Sequence, residues 1–155
     1  MDWKTLFFSA DGRIGRQAFW MGWLILLGVN VVLGWIPLLG WLLSLATIYC
    51  NVCVFSKRLH DMGKSGWLQI WPMMIVFFLC VGSVFAVAGP AVMDGLSNAD
   101  ESAVTAAVMA GAGGMFLALL LALVVGFGFL LWVGLSNGEA GDNKYGPAPA
   151  QPAVA

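Results

Sequence analysis

Charge is what this chain has least of. Its 155 residues include only 7 Lys or Arg and 8 Asp or Glu, while 61% are apolar. Mean hydropathy is +0.89. A soluble globule of this size needs a polar surface, and so few charges cannot cover one. Disorder is excluded for the opposite reason, because the chain is too apolar. A net charge of −1 offers no basic excess to a nucleic acid. A single His cannot build a multi-histidine metal centre. Three Cys, an odd number in apolar surroundings, give no disulfide framework. What remains is the composition of an all-α, polytopic membrane protein.

The charges are also clustered. Residues 18–36, 38–56, 72–89 and 113–135 contain none, and these runs are 19, 19, 18 and 23 residues long. About 20 apolar residues are needed to cross a ~30 Å hydrocarbon core as a helix. Four transmembrane helices are therefore expected, over about 18–36, 38–56, 68–89 and 113–135. They form a single domain over residues 1–146, followed by a disordered Pro/Ala-rich tail at 147–155. The first two runs are too long together for one span, and Pro37 with Gly40 predicts a hairpin turn flanked by Trp35 and Trp41. Pro72 either opens the third span or kinks a helix begun at Ser65. Gly89-Pro90 is expected to end that span. Gly111, Gly113 and Gly114 favour a late start or a break in the fourth.

Orientation follows from the positive charges. Lys4, Arg13 and Arg16 precede the first span, Lys57, Arg58 and Lys64 follow the second, and Lys144 follows the fourth. With four spans all seven lie on one side. The positive-inside rule makes that side cytoplasmic, with both termini inside. The N-terminus does not read as a cleavable signal, since its apolar run begins only after Arg16. Trp3, Leu6, Phe7 and Phe8 are expected to dip into the membrane interface.

The fourth span repeats a small residue at every fourth position: Ala106, Ala110, Gly114, Ala118, Ala122 and Gly126. Such spacing lets helix backbones approach closely. Packing within one chain is the simpler reading, and a homo-oligomer face is the alternative. Cys50, Cys53 and Cys80 read as small buried hydrophobes, because no nearby cation or helix N-terminus would activate a thiol. Asn30 and Asn51 are each expected to hydrogen-bond across the bundle.

Polar chemistry concentrates in GRIGRQAFW (12–20), KRLHDMGKSGW (57–67) and GDNKYGPAP (141–149). Arg13 and Arg16 are three apart and are expected to share one side of a helix entering the first span. The second helix should run out near Asp61, with Gly63 as its left-handed closing residue. Lys57, Arg58 and His60 then suit its negative end, whereas Asp61 does not. A carboxylate there needs a cation. Arg58 lies three residues back, and Arg13 and Arg16 are cross-helix candidates for bidentate pairing. Ser65 is placed to cap the next helix, with Trp67 behind it. Asp142, Asn143 and Tyr145 are expected to fold back, with Gly146-Pro147 making a turn.

These three pieces resemble the domain of unknown function 805 family of small bacterial inner-membrane proteins, from Phe8 to Pro149. The family's motif positions match at Gly12, Arg13, Arg16, Phe19, Trp20, Arg58, His60, Asp61, Gly63, Ser65, Gly66, Trp67, Asn143, Tyr145, Gly146 and Pro147. The resemblance implies a four-helix domain in the bacterial inner membrane and no particular activity.

Three classes of function compete. The first is a non-catalytic membrane module whose cytoplasmic cluster either scaffolds the bundle or binds an anionic phospholipid or a partner. That cluster comprises Arg13, Arg16, Trp20, Arg58, His60, Asp61, Ser65, Trp67, Asn143 and Tyr145. In the binding version the arginines form a pocket walled by Trp20 and Trp67. Scaffolding is preferred, because interfacial Arg–Asp networks usually serve register and topology. The second class is an oligomeric small-solute transporter or channel component, with the small-residue stripe as its interface; the absence of embedded charge counts against ion-coupled transport. The third is a membrane-embedded enzyme. No P-loop, nucleophile–base pair or metal-ligand set is present, so neither catalysis nor a cofactor is expected.

Overall fold

The computed structural model describes residues 3–36, 39–83, 85–86, 89–98 and 101–149. Its helices are α1 (Trp3–Phe8), α2 (Arg16–Leu33), α3 (Leu39–Asp61), α4 (Ile70–Ser83), α5 (Gly89–Asn98) and α6 (Glu101–Leu135), with a 3-10 turn, Gly66–Gln69, leading into α4. No strand occurs among the described residues, only one isolated bridge between Asn143 and Gly146. Among the described residues, four stretches are long and apolar enough to cross a membrane: Arg16–Leu33, Leu39–Asp61, Gly66–Ser83 and Val104–Leu135. They overlie the four expected spans.

The described part of α4 runs to Ser83, residues 84, 87 and 88 lie outside the described residues, and Gly89-Pro90 opens α5, with Pro90 in its first turn, where its missing N–H has no partner to lose. The start of the last helix differs from expectation. The glycines at 111, 113 and 114 neither delay nor break the last helix, which is continuous from Glu101 to Leu135. In an apolar run, water does not compete for the backbone groups, and the helix is the local way to satisfy them. At 1.5 Å per residue its 35 residues reach about 52 Å, more than a bilayer core requires. Pro72 is the third residue of α4, within its first turn, while the span itself begins with the 3-10 turn at Gly66, so the proline sits where the 3-10 turn passes into the α-helix. Pro37 and residues 150–155 of the expected tail lie outside the described residues.

Contacts divide the chain into two compact units, Met1–Gln69 with Leu131–Ala155, and Ile70–Leu130. In the first, α2 and α1 pack on α3 around Leu6, Phe19, Cys53, Val54 and Leu59, all buried. Phe19 meets Phe55 edge to face at 5.1 Å. Cys50 and Cys53 are free, buried thiols, as their apolar setting predicts, and Cys80 is partly buried. Asn30 does reach across, accepting from Thr47 Oγ1 at 3.2 Å while its amide donates to Leu26 O. Asn51 instead donates to Thr47 O of its own helix, at 2.9 Å. The i−4 carbonyl is the nearest acceptor, so no cross-helix partner is needed.

The N-terminal residues form α1, and not all of its apolar side chains face outward. Leu6 is 3% exposed, against 47% for Trp3 and 66% for Phe8. In the second unit, α4 leaves Trp71, Met73, Phe77 and Phe78 exposed, as a lipid-facing helix would. Of the small-residue stripe, Ala118 is buried while Ala106, Ala110 and Gly126 are exposed.

Candidate functional site

The site is assembled at the C-terminal end of α3. Gly63, at φ +70°, occupies the left-handed position that closes a helix. Its N–H donates to His60 O at 3.0 Å, and Lys64 N–H donates to Leu59 O at 2.9 Å. This Schellman closure satisfies two terminal carbonyls and leaves Asp61 as the last helical residue. The expectations for Asp61 and Gly63 are both met.

Asp61 is 3% exposed and is held by two arginines. Its Oδ1 accepts from Arg13 Nη2 at 3.1 Å and Nε at 3.2 Å, and its Oδ2 accepts from Arg58 Nη1. The Arg13 fork therefore grips one carboxylate oxygen rather than both, because Arg58 occupies the other. The side chains of Arg13 and Arg58 are 0% and 1% exposed. Buried charges at this depth persist only when paired and fully hydrogen-bonded.

Most of the remaining arginine donors go to backbone carbonyls of the last turn of α6 and the segment after it, with longer bonds from Arg58 to Ile14 O and from Arg13 to Asp61 O, both at 3.5 Å. Arg13 donates to Glu139 O and Gly141 O, both at 2.7 Å, and to Gly146 O at 3.3 Å. Arg58 Nε donates to Val133 O at 3.1 Å, and its Nη2 donates to Ser136 O. Arg16 Nε donates to the same Ser136 O at 3.0 Å. Glu139 N–H returns a bond to Asp61 O at 2.8 Å. Gly138 permits the close approach, since a Cβ there would run into the Asp61 carboxylate.

On the other side of Asp61, His60 stacks on Tyr145 with ring centroids 3.8 Å apart and planes 7° off parallel. His60 Nδ1 is 3.3 Å from Gly12 O, a distance that fits an Nδ1–H tautomer donating to the carbonyl. Asn143 Nδ2 donates to His60 O at 2.9 Å and to Glu139 Oε2 at 2.7 Å, and its own Oδ1 accepts from Tyr145 N–H. The return of the C-terminal segment onto this face, expected from Asn143, Tyr145 and Gly146, is thus observed. It continues through Ala148, whose N–H donates to Asp142 Oδ1 at 3.1 Å.

Other sequence-derived residues take different places. Arg13 is not helical. α2 begins at Arg16 with Gly15 as its cap, and Gly12 at φ +92° turns the chain before it. The two arginines consequently do not share a helix face, and Arg13 alone reaches Asp61. Trp20 lies against Gly134, where a Cβ would strike its indole ring, and Trp67 is 77% exposed. Neither indole lines the cleft beside the arginines. Ser65 is exposed, and its Oγ accepts from Trp67 N–H at 3.4 Å, capping the 3-10 turn as its position predicts.

Lys57 and Glu139 are the contributors that sequence reasoning did not single out for these roles. Lys57 is 3% exposed, and its ammonium donates to Thr5 O and Leu6 O at the end of α1. Nothing in a local pattern links residue 57 to a helix fifty residues earlier. Among the described residues, no group of His, Cys, Asp or Glu side chains is placed to hold a metal ion.

The family model described as protein of unknown function (DUF805) matches residues 7–147. No curated protein and no solved structure matches the chain.

Proposed function

The chain belongs to the DUF805 family, and from the geometry at Asp61 we propose that it is a non-catalytic, multi-pass module of the bacterial inner membrane, with both termini cytoplasmic. In this reading Arg13, Asp61 and Arg58 form a clasp. They fasten the C-terminal segment to the ends of α2 and α3, and so create a single cytoplasmic face on the bundle.

One observation carries the reading. Each oxygen of Asp61 is taken by a different arginine, and the other arginine donors fall on the carbonyls of Val133, Ser136, Glu139, Gly141 and Gly146. Groups committed to so many internal bonds hold structure. They have little capacity left for a substrate. His60, the obvious acid–base candidate, is likewise engaged, with Gly12 O at its Nδ1 and Tyr145 on its ring face. Seven positive residues gathered at the ends of four spans support the orientation.

The test is Asp61→Asn in the full-length protein, in inside-out membrane vesicles. Losing the carboxylate charge leaves two buried guanidinium groups without their counter-ion, a loss of about 3–5 kcal/mol for a buried pair. Trypsin should then cleave after Lys144 at least ten times faster than in the wild type. Equal cleavage rates would remove the clasp.

A further inference from the structure

The clasp leaves one arginine over. Among the described residues the ion pairs are Arg13–Asp61 and Arg58–Asp61, so Arg16 forms none. It is exposed, and the bond it makes from the cluster is Nε to Ser136 O, a neutral carbonyl that leaves its charge uncancelled. Arg16 and Arg58 share Ser136 O as an acceptor, while only Arg58 and Arg13 reach the Asp61 carboxylate. Glu139 turns its carboxylate to Asn143 and toward Gly63.

Arg16 opens onto a cleft of about 1150 Å³ between the chain leading into α2 and the C-terminal segment. Small-molecule sites run to roughly 300–1,000 Å³, so the space admits a headgroup. Gln17 and Asn137 add polar groups to its lining, whose acids are Asp11, Glu139 and Asp61, the last already paired with Arg13 and Arg58. Met21 lines the same cleft one turn farther along α2, inside the apolar span. A cationic, donor-rich end thus passes directly into an apolar one.

We propose that this cleft binds a phosphate-bearing anion, with the Arg16 guanidinium donating to the phosphate oxygens through its Nη groups. The apolar continuation at Met21 fits a phospholipid, whose acyl chain would follow α2 into the bilayer. Arg is the side chain best matched to phosphate oxygens, and anionic lipids concentrate basic groups at the cytoplasmic leaflet. The proposal rests on the inner-membrane reading above and on the returning C-terminal segment that walls the cleft.

The test uses the full chain, released from detergent for native mass spectrometry with phosphatidylglycerol and phosphatidylcholine at equal concentration. The wild type should retain phosphatidylglycerol in preference. Arg16→Gln should lower that preference about tenfold, the worth of a charge-assisted hydrogen bond. Gln17→Glu should lower it comparably by repulsion while keeping the Arg16–Ser136 bond, so it decides the matter even where Arg16→Gln unfolds. Arg16→Lys should retain part of the preference. Millimolar inorganic phosphate separates the sources. Loss of the lipid adducts in its presence supports a site that also takes phosphate from solution, and their persistence supports the lipid. Equal phosphatidylglycerol and phosphatidylcholine adducts in the wild type, or a preference unchanged in both Arg16→Gln and Gln17→Glu, overturn the proposal. Asp61→Asn is read by proteolysis, so a failed clasp and a failed anion site give different results.

Discussion

Asp61 occupies a position where the helix dipole opposes a carboxylate, and two guanidinium groups reverse that opposition. The close fit around it depends on glycines. A Cβ at Gly138 would collide with the Asp61 carboxylate, and one at Gly63 would collide with that of Glu139 while also straining a φ of +70°. Gly138→Ala and Gly63→Ala should each destabilise the protein by about 1–3 kcal/mol, through overpacking and, at Gly63, through left-handed strain. Gly141→Ala is the control, because nothing lies within 4 Å of its would-be Cβ, and it should stay within about 0.5 kcal/mol. Denaturation in detergent reads all three; equal losses at all three positions would show that the fit is not specific. At this scale the sequence marked Asp61 as anomalous, because helix-end electrostatics are local. It did not show that Gly138 matters, because that glycine meets its neighbour only across 77 residues of chain.

Among the elements, α1 is the one whose placement depends most on a single distant residue. It has only six residues, too few to be stable alone, and Lys57 of α3 takes the carbonyls of Thr5 and Leu6. Lys57→Met keeps much of the apolar stem and removes the donors, leaving those carbonyls unsatisfied at about 1–3 kcal/mol. Hydrogen exchange at residues 3–8 should speed up about tenfold or more while the centres of α2 and α3 stay protected. Unchanged exchange in α1 would mean that Leu6 packing and the Tyr49–Phe8 O bond anchor it without Lys57. The apolar character of Trp3, Leu6, Phe7 and Phe8 was legible, but the burial of Leu6 was not. The interface reading treated α1 as facing lipid, whereas packing on α3 covers Leu6. Helix ends were legible where a left-handed glycine closes them, as at Gly63. They were misread at residues 111–114, where propensities learned in water meet an apolar run that favours the helix regardless.

For the whole molecule, the proposed orientation puts the polar ends of α2 and α3 inside and α5 outside. In a variant with the native cysteines replaced, a membrane-impermeant thiol reagent applied to intact spheroplasts should label Ser97→Cys and spare Ala10→Cys and Gly141→Cys. The inverse pattern would overturn the orientation. The number of spans, their positions and the gathering of positive charge at their ends were determined by the sequence alone. Hydrocarbon thickness and charge solvation act on stretches of chain without reference to the fold. Which arginines pair with Asp61, and which does not, was decided only by tertiary structure. Arg13, Arg16 and Arg58 look alike in the sequence. Gly12 turns Arg13 out of the helix, and the returning segment offers its carbonyls to whichever guanidinium groups it reaches. Pairing at this face depends on distances between parts of the chain far apart in sequence, and no local pattern encodes them.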